Sequence, residues 1–257
     1  MILGVQQIEV FFLIFARIIG IFIQAPLISS RSIPATVKVG FAVWMTMVLW
    51  FVTPIYNILP TSLVGFVIAL VFEVAIGYTM GFICYMLFLA VQAAGEFMDT
   101  QMGLSVASTL DPIFGATISV IGRLSFYLSL VIFVTANGHH MLFSALHQSF
   151  TYLPVGKLAN FTSPALFTQL IDVFSTVWAT SFKLAAPVML LIFLSDFSFG
   201  IVSRVAPQVN VFMLGFQVKP ILGLMGIMLA LPLIVKYINT LIALMLQQMV
   251  ILSQTIK

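Results

Sequence analysis

The sequence predicts an all-α integral membrane protein, and three observations carry that prediction. Hydrophobic residues make up 62% of the 257 residues, and the mean hydropathy is +1.21. Several apolar runs reach or exceed the roughly 20 residues that a helix needs to cross a bilayer core. None of these runs alternates apolar and polar residues in the manner of a β-strand. Because backbone polar groups inside a bilayer must be hydrogen-bonded within the protein, we expect helical hairpins.

Six apolar runs set the expected order of the helices. They cover residues 8–28, 39–59, 63–97, 118–146, 166–202 and 211–252. Pro26 and Pro34 bracket a polar break after the first run, and Pro54 and Pro60 enclose a turn near the end of the second, since proline interrupts helical hydrogen bonding. No Ser/Gly-rich linker, charge run or fixed-period repeat divides the chain, so composition indicates no domain boundary.

The third, fifth and sixth runs are longer than one membrane crossing. About 35 helical residues extend roughly 50 Å, whereas a hydrocarbon core is about 30 Å thick. These helices must therefore tilt, break or leave the membrane. Glycine and proline disturb helical hydrogen bonding or stiffness, and the candidate break points are Gly95, Pro187, Gly200, Pro220 and Pro232.

The charged residues lie in unusual places for a membrane protein. Asp, Glu, Lys and Arg make up 7% of the chain, and desolvation makes them costly inside a membrane. Those within or against the apolar runs are Glu9, Arg17, Glu73, Glu96, Arg123, Asp172, Lys183, Asp196, Lys219 and Lys236. Because few partners exist within each run, we expect the partners in water-lined cavities or on other subunits. Loop charges favour no orientation, which also indicates a chain positioned by its partners.

Helical spacing gathers small and polar residues on single faces. Glu73, Gly77 and Gly81 repeat every four residues, which places a carboxylate on a small-residue surface that another helix can approach closely. We expect either ordinary helix packing there or a pair between Glu73 and another subunit. Two polar stripes that should face protein or water consist of Asp172, Thr176, Thr180, Lys183 and Pro187, and of Lys236, Thr240, Gln247 and Gln254.

Residues 101–119 form a different kind of segment, which is prone to turns and lies between two very apolar runs. Small and turn-forming residues alternate there with Leu104, Val106, Leu110, Ile113 and Phe114. Irregular backbone at membrane depth is tolerated where it lines a cavity or is enclosed by protein. The alternative is an ordinary surface loop.

The sequence contains no recognisable catalytic, metal or cofactor motif. His139 and His140 are adjacent, point in different directions on a helix and lack an HExxH pattern. No GxSxG elbow is present, and Ser105 has no evident partner base. The net charge of +3 comes from scattered residues, so nucleic acid is not an expected partner. We therefore expect no enzyme and no cofactor.

One set of motifs runs through nearly the whole chain. Its residues are Arg17-Ile18-Ile19-Gly20, Phe22, Pro26, Pro34, Lys38, Glu73, Gly77, Gly81, Ala94-Gly95-Glu96, Asp99, Gln101, Gly103, Asp111-Pro112, Asn137-Gly138-His139, Pro154 and Gly156. Most specific is Arg204-Val205-Ala206-Pro207-Gln208-Val209-Asn210-Val211-Phe212, with Gly215 and Lys219. In these positions the sequence resembles the FliR family of flagellar and type III secretion export-gate proteins.

The resemblance implies a non-enzymatic subunit of a hetero-oligomeric helical ring in the bacterial inner membrane, at the flagellar basal body. Members of the family join FliP and FliQ in a channel through which unfolded flagellar subunits leave the cytoplasm, and FlhB and FlhA act beside it. By implication, residues 1–165 form a FliP-like helical portion and residues 166–257 a FliQ-like helical hairpin.

The resemblance also implies two sets of site residues. Residues 103–117 resemble a pore-constricting plug, and the candidate plug residues are Gly103, Leu104, Val106, Leu110, Ile113 and Phe114, because apolar constrictions exclude water. The candidate intersubunit polar contacts are Arg17, Glu73, Lys183, Arg204, Lys219 and Lys236. Neighbouring chains in place of lipid around these side chains would account for charges in apolar helices.

Two other classes of membrane protein are alternatives. Intramembrane charges and helix-breaking Gly and Pro also suit a secondary transporter with its substrate site at broken helices. The absence of repeated halves with matching breaks argues against it. An intramembrane protease is the third alternative, and the missing catalytic constellation argues against that class.

Overall fold

The computed structural model describes residues 5–30, 33–53, 60, 62–105 and 119–256. Within these ranges the regular structure is helical and no residue lies in a β-strand. In chain order the helices are α1 (Val5–Gln24), α2 (Pro26–Ser29), α3 (Ala35–Val52), α4 (Leu63–Met102), α5 (Val120–Thr135), α6 (Gly138–Tyr152), α7 (Pro164–Val205) and α8 (Val211–Thr255). The all-α prediction is confirmed.

Five helices of the described part are long and apolar enough to cross a membrane, namely α1, α3, α4, α7 and α8. Helices α5 and α6 meet the same test when they are taken together. The predicted run 118–146 is therefore two helices. Asn137 separates them with a left-handed φ of 58°, a conformation that asparagine adopts more readily than most residues.

Helices α4, α7 and α8 are continuous over 40, 42 and 45 residues, so the predicted break points are wrong. Pro187 lies inside α7, and Pro220 and Pro232 lie inside α8. Neighbouring helices and local adjustments can compensate for the hydrogen bond that each proline lacks. Gly95 and Gly200 also lie within uninterrupted helix. Each of the three helices extends about 60 Å or more, so tilt or protrusion must accommodate the excess over one bilayer.

The chain divides into two compact units. Unit 1 comprises Met1–Leu87, Asn137–Phe174 and Ile242–Lys257, and unit 2 comprises Phe88–Ala136 and Ser175–Leu241. The long helices α4, α7 and α8 thus contribute residues to both units. This division follows packing within the chain. The expected portions 1–165 and 166–257 concern likeness to other subunits, and they stay a prediction.

The core of unit 1 forms around α1. One face of this helix is buried at positions three and four residues apart, the spacing of a helix turned toward a core. Its most buried apolar residues are Leu13, Ile14, Ile18 and Ile21, and α4 adds Ile76 and Met80. Aromatic contacts extend this core, since the ring of Phe41 on α3 stacks on Phe22 at 5.5 Å and meets Phe143 of α6 at 6.1 Å.

The core of unit 2 forms around the second half of α4. Phe88 is fully buried and contacts Phe126 and Phe133 of α5, with ring centroids 5.9 and 5.3 Å apart. Further along α4, the ring of Phe97 stacks on the ring of Phe182 of α7, with the ring centroids 4.6 Å apart. These aromatic pairs stabilise the unit beyond the burial of apolar area. They also pack α5 and α7 against α4.

Within unit 2, α7 and α8 form an antiparallel hairpin. Near the turn between them, Asp196 of α7 pairs with Lys219 of α8. Farther from the turn, Leu191 of α7 lies beside Gly226 of α8. The hairpin turn is ordered by Asn210, whose side-chain oxygen accepts a hydrogen bond from the N–H of Met213 at 3.2 Å. This is a common way to satisfy a free N–H at the start of a helix.

Candidate functional site

A buried ion pair joins Arg17 of α1 and Glu73 of α4 inside unit 1. The Nε of Arg17 lies 2.6 Å from Oε2 of Glu73, and the two side chains are 0% and 1% exposed. Removing two charges from solvent costs several kcal/mol per ion, and attraction offsets this cost where the geometry is good and the remaining polar atoms are bonded. The surroundings of the pair therefore decide whether it is stable.

Those surroundings satisfy both charged groups. The guanidinium donates hydrogen bonds to Ser149 Oγ at 3.0 Å and to the Leu153 carbonyl at 3.1 Å. The other carboxylate oxygen accepts a hydrogen bond from the N–H of Gly156 at 3.1 Å. The ring of Phe150 lies 4.2 Å from the guanidinium carbon, which adds a cation–π contact. These residues, with Arg17 and Glu73, are called the Arg17 site, and they tie α1, α4 and α6 to the loop that follows α6.

Glycines allow the two helices of the Arg17 site to approach each other closely. A Cβ at Gly77 would overlap the carbonyl group of Arg17, and a Cβ at Gly81 would lie 2.8 Å from the Ile21 carbonyl oxygen. On the opposite side of the contact, a Cβ at Gly20 would overlap backbone atoms of α4. The predicted close approach on the Glu73, Gly77 and Gly81 face is confirmed, and the helix that approaches is α1 of the same chain.

Arg17 and Glu73 are not available for the intersubunit contacts that the sequence predicts, because both are buried and bonded to each other within unit 1. The reason is tertiary, since 56 positions separate the two residues and no local pattern connects them. Ser149 was missed altogether, because a serine within α6 carries no signature of an arginine ligand.

Lys219 also has a partner within the chain. Its Nζ lies 2.5 Å from Oδ1 of Asp196, and the two side chains are 25% and 42% exposed. The pair borders a cavity of about 340 Å³ in unit 2, which is also lined by Phe199, Phe212 and Phe216. Unlike the Arg17 site, this ion pair remains accessible to a further group.

The other candidate contact residues lie on exposed surfaces. Lys183 of α7, Arg204 at the end of α7 and Lys236 of α8 are all exposed. Within the described ranges, none of the three forms an ion pair of the kind seen for Lys219. On α8, the polar positions Lys236 and Thr240 are exposed, and so are the stripe residues Gln247 and Gln254 nearer the C-terminus. Their role as intersubunit contacts stays a prediction.

The start of the candidate plug segment is fixed on α8. Met102, the last residue of α4, is fully buried, and its side chain occupies the space beside Gly223 that a Cβ would fill. Gly103 follows with a φ of 78°, which favours glycine, and it packs beside Phe216. Leu104 is half-buried. The candidate plug residues Val106, Leu110, Ile113 and Phe114 lie outside the described residues.

The residues after the segment are held at the start of α5. The Ser119 hydroxyl accepts a hydrogen bond from the N–H of Gly122 at 2.8 Å, and the Ser119 carbonyl accepts one from the N–H of Arg123 at 3.0 Å. Ser119 is therefore the N-cap of α5. Met102 and Ser119, on the two sides of the candidate plug segment, therefore both contact other described residues.

Among the described residues, no group of three or more His, Cys, Asp or Glu side chains could hold a metal ion. His139 and His140 contact each other with ring centroids 4.4 Å apart. The features that the described residues bring together are two ion pairs and close helix contacts.

Comparisons with known proteins show which family the chain is similar to. The bacterial export proteins, family 1, match residues 8–245. The chain is 33% identical to the flagellar biosynthetic protein FliR of Bacillus subtilis, over 81% of this chain and 81% of that protein. It is also 33% identical to FliR of Pectobacterium carotovorum, over 90% and 87% of the two chains.

A secretion protein is similar as well. The chain is 32% identical to Yop proteins translocation protein T of Yersinia pestis, over 57% of this chain and 56% of that protein. The family match covers most of the chain, as the motifs from Arg17 to Lys219 predict. The chain belongs to the bacterial export proteins, family 1, the family of FliR.

Proposed function

We propose that the chain is a subunit of the flagellar type III protein export gate. With FliP-like and FliQ-like subunits it forms the channel through which unfolded flagellar subunits are exported, and FlhB-like and FlhA-like proteins act beside it. The assembly lies in the bacterial inner membrane at the flagellar basal body. The chain acts by shape and packing and has no catalytic role. Its relatives are named as flagellar biosynthetic and translocation proteins.

Exposed lysines in the middle of long apolar helices are the observation that carries this proposal. Lys183 lies near the middle of α7, and Lys236 lies near the middle of α8. Each is exposed among exposed apolar side chains such as Phe182 and Leu233. In a helix surrounded by lipid, an ammonium group near the centre of a hydrocarbon core about 30 Å thick would lie about 15 Å from either interface, beyond the reach of a lysine side chain, and would be costly. Partner subunits or a water-filled channel would supply the polar neighbours that lipid lacks.

Large exposed apolar surfaces support a partner-dependent assembly. Phe51 and Leu229 are 80% exposed, and Phe212 is 73% exposed. Such patches on a protein mark contacts with lipid or with other proteins. The exposed lysines distinguish these two cases, because they require polar neighbours. We therefore assign part of this surface, including Lys183, Arg204 and Lys236, to FliP-like and FliQ-like neighbours.

The order of the helices supports the two portions that we propose from the resemblance. Helices α7 and α8 make a long hairpin that starts at Pro164 and ends at Thr255, close to the proposed FliQ-like portion, residues 166–257. The proposed FliP-like portion, residues 1–165, contains the plug segment, residues 103–117. In this proposal the plug blocks the channel with apolar side chains until export begins.

A secondary transporter is less consistent with the helices. Substrate sites of such transporters commonly lie where two transmembrane helices are discontinuous. In the described chain, α7 and α8 pass through Pro187, Pro220 and Pro232 without interruption. The feature that made a transporter plausible from the sequence is therefore missing at these positions.

Copurification tests the proposal. The chain is expressed with and without FliP-like and FliQ-like proteins, extracted in mild detergent and analysed for particle mass. We expect a defined hetero-oligomer with the partners. Without them we expect a detergent-soluble chain that is heterogeneous in particle mass, because the apolar and charged surfaces of α7 and α8 are then uncovered. A solitary, monodisperse chain that ignores the coexpressed partners would contradict the proposal.

Ion conductance tests the plug. Deleting residues 106–114 in the coexpressed assembly should increase ion leakage across the membrane, because the apolar side chains that exclude water are then missing. The control is the same assembly with the intact segment at equal abundance. Unchanged conductance would contradict a sealing role for these residues.

A further inference from the structure

The part of α7 and α8 that belongs to unit 2 carries an excess of positive charge. From Ser175 to Leu241 the chain has four cationic residues and one carboxylate, namely Lys183, Arg204, Lys219, Lys236 and Asp196. The carboxylate is paired with Lys219. Within the described ranges, Lys183 and Lys236 form no ion pair. This part of the hairpin therefore offers two ammonium groups to whatever covers it.

Lys183 and Lys236 lie at nearly the same level of the hairpin. Leu191 of α7 lies beside Gly226 of α8, which fixes the register of the two antiparallel helices. At 1.5 Å per residue, this register places Lys236 within roughly 6 Å of the level of Lys183, about one helical turn. Both side chains are exposed, so they point away from the packed interior of unit 2. These two residues are called the lysine band.

The described carboxylates of unit 2 have other partners. Asp196 is bonded to Lys219 near the hairpin turn. Glu96 and Asp99 lie on α4, where they accept hydrogen bonds from a side-chain amide of α4 and from a backbone N–H of α5. Asp172 precedes the lysine band by more than about 10 Å along the hairpin, beyond the distance of an ion pair. We therefore expect the acceptors for the lysine band on another molecule.

The surface around the lysine band favours a protein neighbour. Residues seven positions apart lie on the same face of a helix. Leu190, seven positions after Lys183, is 59% exposed, and Leu229, seven positions before Lys236, is 80% exposed. Water along this face would hydrate large apolar side chains at a cost in free energy, and lipid tails would offer the ammonium groups no acceptor. A packed helix with an acidic side chain meets both needs, because opposite charges attract strongly where apolar side chains exclude water.

We infer that the subunits next to α7 and α8 contact the lysine band with carboxylates, which lie on apolar helices that pack over Leu190 and Leu229. A neighbour of this kind carries Asp or Glu about two helical turns from the apolar residues that cover the leucines. The inference rests on the proposed export gate and adds the chemistry of one intersubunit contact. That contact consists of ion pairs between lysines of this chain and acidic residues of its neighbours.

Carbodiimide cross-linking of the coexpressed assembly tests this inference. A water-soluble carbodiimide condenses a carboxylate with an adjacent amine to form an amide, and the carbodiimide takes up the released water and becomes a urea. The linked peptides are identified by mass spectrometry. We expect cross-links from Lys183 and Lys236 to Asp or Glu of a FliP-like or FliQ-like subunit. The Lys219–Asp196 pair, which is 2.5 Å apart and partly exposed, should form an amide within the chain and is the positive control.

Arginine variants and acetylation complete this experiment. Lys183→Arg and Lys236→Arg keep the positive charge but lack the reactive amine, so each should lose its own cross-link and retain the other. Acetylation of the wild-type assembly by N-hydroxysuccinimidyl acetate is measured in parallel. Both lysines should react severalfold more slowly than in the same assembly denatured in SDS, because neighbouring subunits cover them.

The outcomes separate the inference from the proposed function. A hetero-oligomer in which both lysines are acetylated as fast as in the denatured sample would overturn the inference, since the lysine band would then face water, and would leave the export gate intact. Protected lysines without a cross-link to a subunit, in an assembly where Lys219 and Asp196 are linked, would also overturn it. An apolar surface or a lipid phosphate would then cover the band. Failure to form any hetero-oligomer would contradict the proposed function, and the inference with it.

Charge reversal gives a second measurement that does not depend on entry of a reagent. Lys183→Glu and Lys236→Glu place a carboxylate against the inferred carboxylate, whereas Lys183→Gln and Lys236→Gln carry no charge. Because like charges across an interface are unfavourable, the yield of the hetero-oligomer should be severalfold lower with the glutamate variants than with the glutamine variants. Equal yields, or higher yields with glutamate, would overturn the inference.

Discussion

Units 1 and 2 each contain an ion pair between long helices, and the two pairs differ in their surroundings. Arg17 and Glu73 are buried, and the described groups that form hydrogen bonds with them belong to unit 1. Lys219 and Asp196 are 25% and 42% exposed and border a cavity. The difference separates charges that hold the chain itself together from charges that remain accessible to something else.

The same distinction explains how an apolar chain tolerates its charges. Where the bonding partners of a charged side chain lie within the chain, as at the Arg17 site, a single subunit is enough to satisfy the charge. Where side chains are exposed, as at Lys183 and Lys236, satisfaction must come from outside the chain. Substitutions in the first class should therefore impair folding of the subunit, and substitutions in the second class should impair assembly while the subunit stays folded.

Breaking the Arg17 site should have the largest effect. Arg17→Leu or Glu73→Leu leaves one buried charge without its counterion, which costs about 3–5 kcal/mol. The double variant Arg17→Leu/Glu73→Leu leaves no such charge and should be less destabilised than either single variant. The measurement is the thermal unfolding midpoint of the detergent-solubilised subunit, with the exposed Arg123→Leu as the control.

Equal loss in the single and double variants would contradict this account, because the penalty would then come from packing. A loss similar to that of Arg123→Leu would show that the pair contributes little to folding. Either result would mean that buried and exposed charged residues do not differ in their contribution to folding of the subunit.

The close contact of α1 and α4 should give the second largest effect. Gly77→Ala adds a methyl group that overlaps the carbonyl of Arg17, and such overpacking typically costs about 1–3 kcal/mol. Gly200 is the matched control, since nothing lies within 4 Å of its Cβ position and alanine is favoured over glycine in a helix. Thermal unfolding of both variants should give shifts of opposite sign. A neutral Gly77→Ala variant would mean that the helices can separate freely.

Replacement of the exposed lysines should affect assembly. Lys183→Leu and Lys236→Leu should leave subunit unfolding almost unchanged. If the proposed assembly with FliP-like and FliQ-like subunits forms, each variant should reduce its yield severalfold by removing one proposed polar contact of about 1–2 kcal/mol. Lys183→Arg and Lys236→Arg keep the positive charge and are the matched controls. Unchanged assembly and swimming with both leucine variants would contradict an intersubunit role.

Sequence patterns predict the local features of this fold well. Hydrophobic length predicts the membrane helices, and the spacing of Glu73, Gly77 and Gly81 predicts a close helix contact, because both depend on residues near one another in the chain. The partner of Glu73 cannot be predicted in this way. Arg17 is 56 positions away, and its selection depends on how α1 packs against α4.

The incorrect break points have a related cause. Pro187, Pro220 and Pro232 suggest interruptions when each residue is considered alone, but a proline in a packed membrane helix can be accommodated by its surroundings. Gly95 illustrates the same limit, since its role is the close approach to Gly122. A glycine in an apolar run is compatible with a break, a kink or a contact, and the neighbouring helix decides among them.

The smallest effect should come from the Lys219–Asp196 pair, which tests the comparison most directly. Because both side chains are partly exposed, a double-mutant cycle with Lys219→Met and Asp196→Leu should give a coupling energy of about 0–1 kcal/mol in the isolated subunit. The cycle should be repeated in the coexpressed assembly by measuring thermal dissociation. If a neighbour covers the cavity, desolvation strengthens the pair and the coupling rises. The same small coupling in both states would mean that this surface stays open, and that accessibility of a charge does not identify a contact with a partner.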